Sequence, residues 1–166
     1  MTRVAATVRT PTGPAFTVVL IGHVAVVLIG LVTLVAGGLS AARLLLANGR
    51  ELPPSVRSYF SPGINWAGRV LYLVPVFGAA LLAMSHGADR VGDAWVLEGI
   101  GLWAGAVTLA EGFLWPAERR VQRALEAGDG AGAGSDVRKA CRQICAAAAG
   151  ASALVVAAMV VMVARP

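Results

Sequence analysis

The chain has 166 residues, of which 57% are hydrophobic and 14% are charged, and its mean hydropathy is +0.73. Soluble domains carry about 25% charged residues, and a charge in hydrocarbon costs several kcal/mol, so this composition excludes a soluble globular domain and indicates a membrane protein. The net charge of +5 does not indicate nucleic acid as a partner, because the basic residues lie at the edges of apolar runs.

The N-terminal part of the sequence predicts a polar segment followed by a long apolar helix. Residues 1–15 are polar, and we expect them to be flexible. Residues 16–46 exceed the roughly 20 residues that a bilayer requires, so the predicted first span tilts or projects. Arg3 and Arg9 precede it as in a signal peptide, but its apolar stretch is longer than the about 7–15 residues of a signal sequence. This length favours a retained span.

The second predicted span covers residues 65–86. Asn65 is suited to be its N-cap, because an amide oxygen can accept a hydrogen bond from a free N–H of the first turn. Pro75 has no N–H and cannot donate to the carbonyl of Leu71, so we expect a kink in the middle of this helix.

The third and fourth predicted spans cover residues 95–115 and 141–164. Asp93 precedes the third span at a position typical of an N-cap. Gly101 and Gly105 form a GxxxG motif, and small residues at this spacing allow helices to approach closely. The motif favours a tight bundle and self-association.

The connections between spans also carry structural signals. Residues 47–64 contain Asn-Gly, Pro-Pro and Ser-Pro-Gly sequences, which are typical of loops, and we expect Tyr59 and Phe60 at the depth of lipid headgroups. Residues 116–140 form the other long connection. Its first part, 117–127, predicts a helix on the membrane surface or a projecting helix end, and residues 128–136 are a flexible, glycine-rich linker.

Four spans predict an all-α four-helix bundle with both termini on one side of the membrane. Ten of the 14 Lys and Arg residues lie in or beside the two long connections, which leaves four on the opposite side. The positive-inside rule therefore predicts that residues 47–64 and 116–140 are cytoplasmic and that both termini are outside, although Arg3 and Arg9 oppose this orientation. We expect a multi-pass protein of the plasma (inner) membrane.

One pair of charges lies inside the predicted spans. Arg69 is one turn inside the start of span two and Glu111 is one turn inside the end of span three, so adjacent antiparallel helices would place them at one depth. The pair either fixes the packing of two helices or supplies a carboxylate for proton transfer or ligand binding. Tyr72, one turn from Arg69, is placed to join either network.

The two histidines are candidate ligands for a cofactor. His23 lies in the outer part of span one and His86 ends span two on the same side, so facing helices could hold haem b or copper between them. Alternatively, His23 is a hydrogen-bonding residue of helix packing and His86 is an interfacial cap. With Asp89 and Asp93, His86 could also bind a cation, but a solvated loop explains these acids equally well.

The two cysteines are four residues apart and share one helix face. Cys141 and Cys145 could supply part of a soft-metal site, but no third cysteine or neighbouring histidine completes it. We expect them to be small core residues on the cytoplasmic side.

The segments FSPGINWAGRVLYLVPVFGAALLAMSHG and WVLEGIGLWAGAVTLAEGFLWPAERRVQ resemble a family of uncharacterised actinobacterial four-helix integral membrane proteins, which are grouped loosely with copper-resistance-D-type membrane proteins. The resemblance implies a histidine-bearing membrane bundle that handles haem or copper. In this sequence only His23 and His86 match that role, and the methionine-rich motifs of copper importers are absent.

The sequence contains no Walker loop, no GxGxxG after a strand, no HExxH and no GxSxG motif. The residues favour a small non-enzymatic membrane protein that is a structural or accessory subunit of a homo-oligomer or a larger membrane complex. A haem- or metal-binding redox protein that uses His23 and His86 is the alternative. A small transporter component, with Glu111 in its path and Pro75 as a hinge, is a second alternative.

Overall fold

The computed structural model describes residues 13–47, 52–63, 65–85, 89–127 and 134–164. The helices are, in chain order, α1 (Pro14–Ala47), α2 (Pro54–Tyr59), α3 (Trp66–Arg69), a 3₁₀ turn (Val70–Leu73), α4 (Val74–Met84), α5 (Ala94–Leu109), a π turn (Ala110–Leu114), α6 (Trp115–Glu126) and α7 (Ser135–Ala164). Within the described ranges, four helical stretches are long and apolar enough to cross a membrane: Pro14–Ala47, Trp66–Met84, Ala94–Glu126 and Ser135–Ala164. The predicted all-α four-helix membrane bundle is confirmed.

The central contact of the bundle is between α1 and α7. Gly38 of α1 allows this approach, because a Cβ atom added there would lie 3.1 Å from Cβ of Ala148. The Cys145 thiol lies nearby and donates to the Gly38 carbonyl at 3.5 Å. The α3–α4 stretch packs against α1, while α5 and α6 pack against α7.

The second span is interrupted just before Pro75. The chain forms a 3₁₀ turn over Val70–Leu73 and then resumes an α-helix. The carbonyl of Leu71, which Pro75 cannot serve, instead accepts the backbone N–H of Val74 and the indole N–H of Trp103 at 2.9 Å. A buried carbonyl requires a donor. Because Pro75 supplies none, the Leu71 carbonyl bonds to Trp103 and so links the second span to α5.

The third span continues past its predicted end. The N–H of Trp115 donates to the carbonyl of Ala110, five residues back, which gives a π turn immediately before Pro116. The helix then runs on as α6 to Glu126. Of the two alternatives predicted for residues 117–127, a surface helix or a projecting end of the third helix, the structure has the continuation of the third helix. This continuation buries Val121 against α7, because α7 begins at Ser135 and extends far enough to cover it.

The end of the bundle that carries α2 and α6 has its own hydrophobic cluster. Here α2 folds the first connection back over the helices, so Phe60 is only 2% exposed and packs inside the protein and not at the lipid surface. Its buried neighbours in the cluster are Ala41, Leu44, Val56, Ala117, Val121, Ala140, Cys141 and Ile144. Cys141 lies in the core, and Cys145 packs against the same cluster.

Candidate functional site

The residues predicted as an intramembrane charge pair belong to one cluster, which we call the outer cluster: Arg69, Tyr72, Glu111 and Trp115. The Tyr72 hydroxyl donates a hydrogen bond to Oε1 of Glu111. The rings of Tyr72 and Trp115 have centroids 6.0 Å apart, and the guanidinium carbon of Arg69 lies 5.2 Å from the centroid of the Trp115 ring. In the described part of the chain no ion pair joins Arg69 to Glu111, so aromatic rings connect the two charges.

Glu111 faces away from the bundle. It is the second residue of the π turn, its side chain is exposed, and its partner Tyr72 is 38% exposed. Ionisable residues inside membrane spans almost always face the protein interior or a water-filled cavity, and π turns are frequent at functional sites. The exposed carboxylate is therefore the most unusual feature of this face.

A second polar cluster, which we call the inner cluster, consists of Glu118, Tyr59 and Asn65. Glu118 of α6 is only 5% exposed. The hydroxyl of Tyr59, at the end of α2, donates to Oε1 of Glu118 at 2.5 Å. The Tyr59 oxygen in turn accepts the side-chain N–H of Asn65 at 3.3 Å.

The direction of this hydrogen-bond chain is fixed by a helix cap. Asn65 is the N-cap of α3, as predicted, and its Oδ1 accepts the backbone N–H of Gly68 at 3.3 Å. Because Oδ1 faces this N–H, the amide nitrogen faces Tyr59 and can only donate. Tyr59 must then direct its own proton to Glu118.

Gly37 of α1 provides the space for the inner cluster. A Cβ atom added at Gly37 would lie 2.6 Å from the Tyr59 hydroxyl and 3.3 Å from Oε1 of Glu118. The absence of a side chain thus lets α1 close over the half-buried phenol and the buried carboxyl group.

Burial of Tyr59, together with the hydrogen bond that its hydroxyl donates to Glu118, raises the pKa of the Tyr59 hydroxyl. Because the folded protein binds this proton more tightly than the unfolded chain, whose tyrosine pKa is about 10, stability is complete below that pH and falls as the pH rises above it. The chain has two tyrosines, so Tyr59 is the only tyrosine that remains in the Tyr72→Phe variant. We expect no tyrosinate absorbance from folded Tyr72→Phe protein at about pH 11, and full absorbance after unfolding in SDS. A normal titration of the folded variant would contradict the buried placement of Tyr59.

His23 is enclosed between α1 and α4. It is 7% exposed, and its Nδ1 has no hydrogen-bond partner among the residues that the structure describes. A Cβ atom added at Gly78 would lie 3.6 Å from Cε1 of His23, so the imidazole is level with Gly78. Ligation of a porphyrin would require α1 and α4 to separate, so the surroundings of His23 do not fit a haem. His86 lies outside the described residues.

The turn before α5 uses one side-chain carboxylate and one backbone N–H of its two acidic residues. Oδ2 of Asp93 accepts the backbone N–H of Arg90 at 2.7 Å and makes no cap bond to α5, although Asp93 occupies the N-cap position. The backbone N–H of Asp89 donates to the hydroxyl of Ser85 at 3.3 Å. Across the described ranges, no three His, Cys, Asp or Glu residues form a group that could hold a metal ion.

Sequence reasoning missed the inner cluster. The predicted helix over residues 117–127 was expected to carry its charged residues, Glu118 among them, on the face opposite Val121 and Leu125. One signal could have revealed it, since Glu118 occupies the same helical stripe as Leu114, Val121 and Leu125, at the spacing of a buried face.

The chain matches no protein-family model, no curated protein and no solved structure.

Proposed function

We propose that the protein is a non-enzymatic structural subunit of a membrane protein complex. It assembles within the membrane through the outer face of α5 and the π turn. The observation that carries this proposal is the carboxylate of Glu111 on the outside of an apolar span. Lipid offers this group no donor or cation, and its free energy there is unfavourable by several kcal/mol. A second protein surface that covers Glu111 would remove this penalty.

The surface around Glu111 suits another helix. Gly101, Ala104, Thr108 and Gly112 are exposed along one side of α5 and the π turn. A Cβ atom added at Gly101 or Gly112 would meet no atom of the described chain within 4 Å. Gly105, the other glycine of the predicted GxxxG motif, faces α7 and lies close to Leu154. A stripe of small residues beside a polar group is the arrangement by which membrane helices associate.

The occupant that we propose for this surface is a second copy of the chain. A two-fold axis along the membrane normal places each residue at the same depth as its counterpart. Arg69 lies in the same cluster as Glu111, so Arg69 of each copy can approach Glu111 of the other. The two charges of the outer cluster are then satisfied between copies. The positive-inside count supports a plasma-membrane protein with α2 and α6 on the cytoplasmic side.

A bulky side chain at Gly112 tests this interface. The Cβ atom of Gly112→Leu would meet no described atom of its own chain within 4 Å, so we expect the monomer to fold. The larger side chain should separate the two copies and weaken dimerisation at least 10-fold. The measurement is the protein mass by light scattering in mild detergent and in lipid nanodiscs. Ala149→Leu, at an exposed position of α7, is the matched control and should remain dimeric. Equal masses for wild type, Gly112→Leu and Ala149→Leu would contradict the interface.

A further inference from the structure

We propose that Glu118, together with Tyr59 and Asn65, forms a proton-binding site in which the Glu118 carboxyl group holds a proton at neutral pH. The site is separate from the proposed interface, because Glu118 is 95% buried inside the bundle whereas Glu111 is exposed on its surface. The ligand is the proton itself, bound between α6, α2 and α1.

The charges around Glu118 favour the neutral acid. Its hydrogen-bond partner is the neutral phenol of Tyr59 on α2, and α1 contributes Gly37, which has no side chain. Cys141 of α7, also uncharged as a thiol, belongs to the hydrophobic cluster on this side of α6. On α6 itself the nearest cations are Arg119 and Arg120, whose side chains are exposed.

A carboxylate so enclosed lacks what an ionised group needs. Among the described residues Glu118 has no cationic partner, and an unpaired buried charge is so unfavourable that the group takes up a proton. The cap at Asn65 fixes one O–H donor on Oε1, which leaves Oε2 to carry the proton. One hydrogen bond to a neutral phenol is too little to hold the ionised form, because carboxylates with a depressed pKa accept two or three.

A metal cation fits the inner cluster less well than a proton. Hard cations require about six oxygen ligands, whereas the cluster supplies one carboxyl group and one phenol whose oxygen is already bonded to Asn65. The chemistry of the donors therefore selects H⁺.

Infrared spectroscopy of the purified protein in mild detergent tests this assignment. A protonated carboxyl group absorbs above the amide bands through its C=O stretch, and a carboxylate does not. We expect such a band at neutral pH, its loss in Glu118→Gln, and its retention in Glu126→Gln, which removes an exposed carboxyl group of the same helix. In Tyr59→Phe, the band should remain and shift to higher wavenumber, because the C=O group loses its hydrogen-bond donor.

The outcomes separate the proposal from its rivals. If wild type and Glu118→Gln have identical spectra in the region of the protonated C=O stretch, the proposal is overturned. It is also overturned if Glu118→Gln loses carboxylate bands, because Glu118 would then be ionised in the wild type. If Glu118→Gln does not fold, the shift in Tyr59→Phe decides, since it requires a protonated partner. The readout does not depend on oligomeric state, so Gly112→Leu protein should give the same band as wild type even if dimerisation fails.

Discussion

The Gly37→Ala variant is expected to unfold with a free energy about 2–4 kcal/mol lower than the wild-type protein, because one added methyl group strikes the inner cluster. That methyl carbon would lie 2.6 Å from the Tyr59 hydroxyl, and overpacking of this kind costs about 1–3 kcal/mol. Relief requires Tyr59 to move away from Glu118, which loses a buried hydrogen bond worth about 1–3 kcal/mol. The higher helix propensity of alanine returns at most about 1 kcal/mol.

Gly78→Ala is the matched control for this substitution. It is also a helical glycine against a neighbouring helix, but its added Cβ would lie 3.6 Å from Cε1 of His23, which is an ordinary van der Waals distance. We expect this variant to be as stable as wild type or more stable by about 0.5–1 kcal/mol. Reversible unfolding in mixtures of SDS and mild detergent measures both free energies. Equal stability of the two variants would show that α1 does not close tightly over Tyr59.

The four spans could be predicted from the sequence because bilayer thickness imposes a length of apolar chain that few other folds require. The local chemistry of single residues was also readable. Asn65 caps its helix as predicted, and Pro75 frees the carbonyl of Leu71. What the sequence did not reveal was the donor that serves this carbonyl, since Trp103 is 32 residues away along the chain.

The arrangement of helices in space could not be predicted with the same ease. Arg69 and Glu111 were expected to meet because spans two and three are consecutive in the chain. In the structure the second span packs mainly against α1, and α5 packs mainly against α7, so large side chains such as Trp115 occupy the space between them. Hydrophobic periodicity does not distinguish a face that meets lipid from one that meets protein, because both are apolar.

The inner cluster escaped prediction for a different reason. Its residues come from α2, the α3 cap and α6, which lie up to 59 residues apart in the chain. Nothing in the loop sequence indicates that α2 folds back on the bundle, because loop signals predict where a chain turns and not what it packs against. Gly37 likewise looks like any other small residue of an apolar span until Tyr59 is placed against it.

The variants Arg69→Glu and Glu111→Arg are expected to dimerise with each other but not with themselves. In Arg69→Glu, each copy presents two acids at the interface, and in Glu111→Arg each presents two cations. Either variant alone places like charges together. Close charge pairs at interfaces couple by about 1.5–7 kcal/mol, so each variant should dimerise on the order of 100-fold more weakly than wild type. When the two are mixed, both contacts become attractive and dimerisation should return.

This mixing experiment tests the central claim most directly, because rescue in trans requires that Arg69 of one copy meets Glu111 of another. The two variants carry different affinity tags, and the fraction of doubly tagged complex is measured in lipid nanodiscs, with circular dichroism to verify that each monomer is folded. The account predicts monomers for each variant alone and a mixed dimer for the pair. Single variants that dimerise like wild type, or a mixture that stays monomeric although both variants are folded, would contradict it.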